Sequence, residues 1–301
     1  MRVLQKDTRI ALVGPGGAVS PEALEPGIAW LRSCGWVPVA APHLHERHRY
    51  LAGRPEVRAA DLEWALTAPD IDAVWFARGG YGTAQVLASL PWERLRRRPV
   101  IGFSDATALV WALARRGIES IHGPVLTTLG PGPSASDEES RAVLRHLLTT
   151  GEAPVLPGTR LCGPERSVRG RVVGGNLTVL ASLAGTPEAF RAEGAIVVLE
   201  DVTESPYRLE RALCQLIDSG GLQGAVGIAL GEFVGCEPPR GATYELTDMW
   251  SDKLGPLGIP VIHQLPVGHG SRNHAFHYGG EAVLSSDGLK PVGARTRVEV
   301  V

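Results

Sequence analysis

The chain has 301 residues, of which 44% are hydrophobic and 21% charged, an ordinary globular composition long enough for one large domain or two medium ones. A formal net charge of -2 and a pI near 6.5 give no electrostatic reason to expect nucleic acid or an anionic membrane as a partner. The N-terminus has no apolar core ahead of a small-residue cleavage site, and no apolar stretch approaches the length of a membrane span. Cys34, Cys162, Cys214 and Cys236 are far apart and form no C-x-x-C pair. That argues against a zinc knuckle or a dense disulfide frame and makes a reducing cytoplasm the expected location.

In chain order, an apolar run at 10–13 closes on Gly14-Pro15-Gly16-Gly17, and Ser20-Pro21 then opens a helix that reaches Cys34 and stops at Gly35. The glycine turn lacks G-x-G-x-x-G spacing, so a tight structural turn is favoured over a nucleotide site. A strand follows at 36–40. His43, His45 and His48 come next, but Arg47 and Arg49 lie among them and no second cluster joins them, so metal binding is the weaker reading. A helix is expected at 55–66 and a strand at 71–77, ending in Arg78-Gly79-Gly80-Tyr81-Gly82. A helix near 83–90, a strand at 99–103 and a helix at 106–116 complete the series. Arg94, Arg96, Arg97 and Arg98 read as a solvated helix end.

Repeated βα units imply a parallel, Rossmann-like sheet covered on both faces, with sites beyond the carboxyl ends of its strands. A loop is expected at 129–136 and a helix at 138–148. The Gly-, Pro- and Arg-rich stretch 151–169 is the best candidate linker. Beyond it, strands at 195–199, 226–230 and 260–262, a helix at 207–217 and an Asp287-Gly288 hairpin turn suggest a less regular architecture. The expectation is an N-terminal α/β domain over 1–150, a linker, and a second mixed, β-rich domain over 170–301.

Ser104 sits where the strand stops and the helix starts, a sharp turn that exposes a hydroxyl next to backbone N–H groups. A serine there can equally cap the helix, with Asp105 suiting its first turn, and the G-x-S-x-G elbow ends in Ala106 rather than glycine. A serine nucleophile needs a base and a group to orient that base. Glu200, at the end of the strand 195–199, and His269, between Gly268 and Gly270, could supply them. Taken singly, a solvated strand end and a turn residue explain them as well. Asn176 reads as the cap of a helix at 177–183.

Arg78-Gly79-Gly80-Tyr81-Gly82, Gly102-Phe103-Ser104-Asp105-Ala106-Thr107, His122-Gly123-Pro124, Gly174-Gly175-Asn176-Leu177, Leu199-Glu200-Asp201 and Gly268-His269-Gly270 occur in order and in register. Together they resemble the LD-carboxypeptidases of serine peptidase family S66, the muramoyltetrapeptide carboxypeptidases, over about residues 10–289. The resemblance implies an N-terminal α/β domain, a β-rich C-terminal domain and an active site between them. It also implies a triad of Ser104, Glu200 and His269, and an oxyanion hole from the N–H groups of Gly79 or Gly80 and of Asp105. The implied reaction removes a terminal D-alanine from a murein tetrapeptide without metal or organic cofactor, in a homodimer. Arg78 and Tyr81 are candidate substrate contacts. Relatives that cleave a peptide-nucleotide antibiotic leave that substrate as an alternative, and a non-catalytic binding module is a third reading. Thr83-Ala84-Gln85 stands where many relatives have an arginine.

Overall fold

The computed structural model describes residues 2–130 and 135–293; residues 131–134 of the expected loop lie outside the described residues. Five short strands, β1 (Arg9–Val13), β2 (Val37–Ala40), β3 (Ala73–Phe76), β4 (Val100–Gly102) and β5 (Ser120–His122), pair in parallel in the order β5-β4-β3-β1-β2. β3, β4 and β5 are buried at every residue, as strands covered on both faces must be. The helices α1 (Pro21–Ser33), α2 (Pro55–Thr67), α3 (Thr83–Val86), α4 (Thr107–Ala114) and α5 (Glu138–Thr150) alternate with them.

Local chemistry sets where these helices start and stop. Ser20 Oγ accepts from Ala23 N–H at 3.3 Å and Pro21 opens α1, which stops before Gly35 at φ +82°. The helix expected near 83–90 lasts one α turn and tightens into a 3-10 turn at Leu87–Ser89. Gly82 offers no side-chain cap, and Pro91 disfavours helical backbone at the residue before it.

The second sheet has eight strands in the order β6-β14-β13-β8-β9-β10-β11-β7. They are β6 (Leu156–Pro157), β7 (Thr159–Cys162), β8 (Val168–Asn176), β9 (Ala195–Val202), β10 (Gly227–Val234), β11 (Val261–His263), β13 (Glu281–Ser285) and β14 (Gly288–Pro291). Its centre, β8 to β11, is parallel, and antiparallel strands flank it on both sides. Helices α6 (Leu177–Ser182), α7 (Pro206–Asp218) and α8 (Leu246–Leu254) connect the strands. The expected hairpin is present as β13 and β14, turning before Gly288.

Two features depart from the sequence expectation. The stretch 151–169 is not a plain linker, because β6 pairs with β14 and β7 with β11 at the two edges of the second sheet. The strand β12 (Phe276–Tyr278) leaves the second half altogether and pairs antiparallel with β5, closing an edge of the first sheet. Three-residue strands carry too little periodicity to announce themselves.

Glycines let the two sheets meet. Gly174 has φ +125°, and a Cβ there would collide with Val198 O of the paired strand β9; across the interface, a Cβ on Gly175 would lie 2.5 Å from Thr107 Oγ1. The Tyr278 hydroxyl donates to Gly174 O at 2.9 Å and accepts from Gly174 N–H at 3.0 Å. Thr107 Oγ1 accepts from Asn176 N–H at 3.1 Å. The helix α4 behind Ser104 is thereby seated directly on β8.

Tyr278→Phe keeps the ring and strips both bonds from a buried glycine, so we expect a loss of about 2–3 kcal/mol in urea unfolding. A loss under about 0.5 kcal/mol would show that this contact does not help hold the sheets together.

Candidate active site

Ser104 occupies the left-handed region at φ +62°, directly after β4 and within a 3-10 turn, Ser104–Ala106, that leads into α4. A non-glycine residue there is strained, and such strain persists where surrounding structure holds it. The crowding is local: a Cβ on Gly102 would come within 2.8 Å of the Ala106 Cβ. Alanine is therefore admitted at the last elbow position because Gly102 leaves room for it. Ser104 makes no capping bond to the helix. Its Oγ lies 3.0 Å from His269 Nε2.

His269 bridges the two halves of the chain. Its Nδ1 lies 2.6 Å from Glu200 Oε2, and because a carboxylate only accepts, Nδ1 carries the proton and Nε2 faces the serine hydroxyl as acceptor. Glu200 is fully buried on β9, paired in register with Asn176 of β8. Gly231 and Gly268 pack against it; a Cβ on either would sit 3.4 Å or 3.3 Å from the Glu200 Cβ. Phe103 lies against the imidazole at 4.7 Å between ring centroids. Burial pushes the His269 pKa down, but the Glu200 charge and hydrogen bond outweigh it and leave the value raised.

The glycine turn after β3 approaches the serine from the other side. A Cβ on Gly79 would come within 2.8 Å of Ser104 Oγ and 3.6 Å of Asp105 N. Gly79 O accepts from Gly17 N–H at 2.9 Å, while no turn or loop partner takes the N–H of Gly79, Gly80 or Asp105 among the described residues. Gly79 and the Asp105 N–H, both among the predicted oxyanion donors, therefore lie close to Ser104.

The Asp105 carboxylate turns inward instead of facing the helix dipole. Its Oδ2 accepts from Thr83 N–H at 2.9 Å and Thr83 Oγ1–H at 2.6 Å. Burial raises its pKa, and the Thr83 bonds oppose that rise. Arg58, itself buried on α2, donates to Gly82 O at 2.8 Å, Gln85 Oε1 at 2.6 Å and Gly53 O at 3.2 Å, and also to Pro15 O. One guanidinium therefore ties together the turns after β1 and β3. Gln85 helps to seat it, in the segment where many relatives carry an arginine.

Sequence reasoning missed Arg58, Thr83 and the inward role of Asp105. One signal was available: Arg58 lies on the same face as Leu62 and Ala65, the buried stripe of α2. His122 was quoted only as part of a motif. It is fully buried, stacks on Phe276 at 4.8 Å and 12°, and burial, then the His269 charge, lowers its pKa to about 3. Arg78 is exposed and donates to Ala18 O at 2.6 Å. Tyr81 is exposed, and its hydroxyl accepts from Gln85 at 3.3 Å. His43 pairs with Asp61 at 2.8 Å. Asn176 caps α6, its Oδ1 accepting from Val179 N–H at 3.1 Å.

Comparison with known proteins agrees along nearly the whole chain. The profile of the LD-carboxypeptidase N-terminal domain matches residues 10–123, and that of the C-terminal domain matches residues 169–284. The murein tetrapeptide carboxypeptidase of Pseudomonas aeruginosa is 41% identical over 293 residues, covering 94% of this chain and 95% of that one. The probable murein peptide carboxypeptidase of Bacillus subtilis is 30% identical over 292 residues, covering 95% and 91%. The crystal structure of muramoyltetrapeptide carboxypeptidase from Oxalobacter formigenes superposes with a TM-score of 0.85 at 32% identity, over 96% of this chain and 100% of that one. The wild-type apo structure of the microcin C7 self-immunity protein MccF gives a TM-score of 0.85 at 19% identity, over 97% and 98%, a likeness of fold.

In NMR titration we expect His269 to protonate above the ordinary value of about 6.5. In Glu200→Gln it should protonate below that value, since burial then meets little opposition. An unchanged value would mean that Glu200 does not control the ring.

Proposed function

Because the chain belongs to the LD-carboxypeptidase family and is a peptidase, we propose that it releases the terminal D-alanine of murein tetrapeptides through a serine acyl-enzyme. The observation that carries this reading is one imidazole within hydrogen-bond reach of both the Ser104 hydroxyl and the Glu200 carboxylate. The names of its relatives supply the substrate class, and a polypeptide fold shared with MccF alone would not.

In the proposed sequence Ser104 Oγ attacks the carbonyl carbon of the amide between the L-centre of the diamino acid and D-alanine. His269 Nε2 takes the hydroxyl proton, and Glu200 holds the ring and stabilises the imidazolium. The carbonyl electron pair moves onto oxygen, facing the N–H groups of Gly79 or Gly80 and of Asp105. Each such donor contributes a factor of about 100 to 1,000 elsewhere. When the carbonyl re-forms, the C–N bond breaks and His269 returns its proton to the departing amine. Water, deprotonated by the same ring, then cleaves the ester. Residues 1–150 supply nucleophile and oxyanion donors, and residues 170–301 supply base and carboxylate. No step calls for a metal or organic cofactor. A cytoplasmic site of action on recycled peptides fits the four free cysteines, Cys34, Cys162, Cys214 and Cys236. Among the described residues no helix is long and apolar enough to cross a membrane. Homodimer formation, implied by the family resemblance, is open to light scattering.

Ser104→Ala should lower D-alanine release from a purified tetrapeptide, followed by mass spectrometry, at least about a thousandfold with little change in melting temperature. Substantial residual turnover would put the nucleophile elsewhere. A peptidyl-nucleotide should be a far poorer substrate, and equal turnover of both would point to the antibiotic-cleaving activity.

The base must be neutral, so kcat/KM should rise with pH through the raised His269 value. In Glu200→Gln that acid limb should move to lower pH while kcat falls at least about a hundredfold. A limb that stays in place would remove His269 as the titrating base.

A further inference from the structure

Next to the Gly79-Gly80 turn lies a cavity of about 450 Å³ whose walls include Val19, Ser20, His45, Arg47, Tyr50 and Arg78, a volume within the range of small-molecule sites. Its wall residue Arg78 immediately precedes that turn, where a Cβ on Gly79 would come within 2.8 Å of Ser104 Oγ, and a Cβ on Gly17 would lie 3.6 Å from Arg78 Cζ and 3.5 Å from Gly80 Cα. Tyr50 on its wall stands 6.2 Å, ring to ring, from Tyr81 of the turn.

The two guanidiniums in this cavity are each anchored once and otherwise open. Arg47 Nε donates to Arg49 O at 3.0 Å, and one terminal nitrogen of Arg78 donates to Ala18 O at 2.6 Å. Among the described residues their remaining donors meet no partner, and neither arginine forms an ion pair. A planar fork held by one bond with its other donors free is prearranged for a carboxylate.

The N-terminus of α1 also reaches this cavity, but its own groups are satisfied. Ser20 Oγ takes the Ala23 N–H, and the Glu22 carboxyl is held low first by its own backbone N–H, then by Ser20. Glu22 is the acid in this first turn, and His45 on the cavity wall lies close enough to act on it electrostatically. The charge left uncompensated is that of the two arginines.

We infer that this cavity is the subsite for the free terminal carboxylate of the substrate, with Arg47 and Arg78 as its ligands, and that it makes the enzyme act at chain ends. The inference rests on the peptidase reading above. The departing D-amino acid carries its carboxylate two bonds beyond the scissile nitrogen, so its neutralising partner must lie beside the serine. Amides in mid-chain present no such charge and gain nothing from the arginines.

The test compares a murein tetrapeptide with its C-terminal amide. Wild-type enzyme should cleave the free acid with a KM at least about tenfold lower. Arg47→Ala and Arg78→Ala should each raise the KM for the acid at least about tenfold, bring acid and amide close together, and leave kcat within about threefold. Binding of the acid to Ser104→Ala, measured by calorimetry, should weaken to the same extent when Arg47→Ala is added, and this readout does not depend on turnover. An Arg47→Ala enzyme that still prefers acid to amide, or binds the acid as tightly as its parent, overturns the subsite. If wild type releases no D-alanine, the peptidase reading on murein peptide fails separately, and the calorimetric comparison still decides whether this cavity binds the carboxylate.

Discussion

A carboxylate with no solvent exposure bonds at 2.6 Å to an imidazole that also faces a serine on the other sheet. Most of the surrounding architecture follows from keeping that arrangement intact. An ionised group removed from water is costly unless it is paired. Glu200 has one partnered oxygen, while its Oε1 meets no hydrogen-bond partner among the described residues. Its stability therefore leans on His269 remaining where it is. That in turn requires the loop around Gly268 to pack closely on β9, which only glycine at φ +138° allows.

The serine faces the matching requirement from the first sheet. Its left-handed backbone is accommodated because Gly102 leaves room for Ala106 in the same turn. The buried Asp105 carboxylate and the Arg58 guanidinium fix the glycine turn relative to it. These groups do not touch the imidazole. They hold backbone N–H groups in place, and a fixed dipole stabilises developing charge more effectively than one that must reorganise. The contacts of Gly174 and Gly175 with Tyr278 and Thr107 then set the distance between the two sheets. Small residues thus do at the interface what the charged ones do in the loops.

Much of this was legible in the residues themselves. The apolar runs at 10–13 and 195–199, the capping serine of α1 and the Asp287-Gly288 hairpin all lie where local chemistry puts them. The exposed turn at Ser104 could be read from a strand meeting a helix, although capping and nucleophile could not be separated there. What separates them is His269, a contact across more than half the chain, and only the in-register motifs of a known family hinted at it. Short strands such as β5, β7 and β12 escaped because three or four residues do not establish a period. The 151–169 stretch looked like a linker because glycine and proline mark edges of sheets as readily as gaps between domains. By sequence alone Asp105 suits a helix first turn and Arg58 shows only its place on the buried face of α2, because the partners that bury a charged side chain lie outside a local window.

The pairing of β12 with β5 has a bearing on how the molecule is made. While the polypeptide emerges from the ribosome, β1 to β5 are synthesised early, but β5 keeps one margin of unpaired backbone until Phe276–Tyr278 are available. Such an open margin invites pairing with the wrong chain. Completion of the first sheet therefore waits until Phe276–Tyr278 have been made. Long-range closure of this kind slows folding and lengthens exposure to aggregation. A nascent chain halted before Phe276 leaves the edge of β5 open.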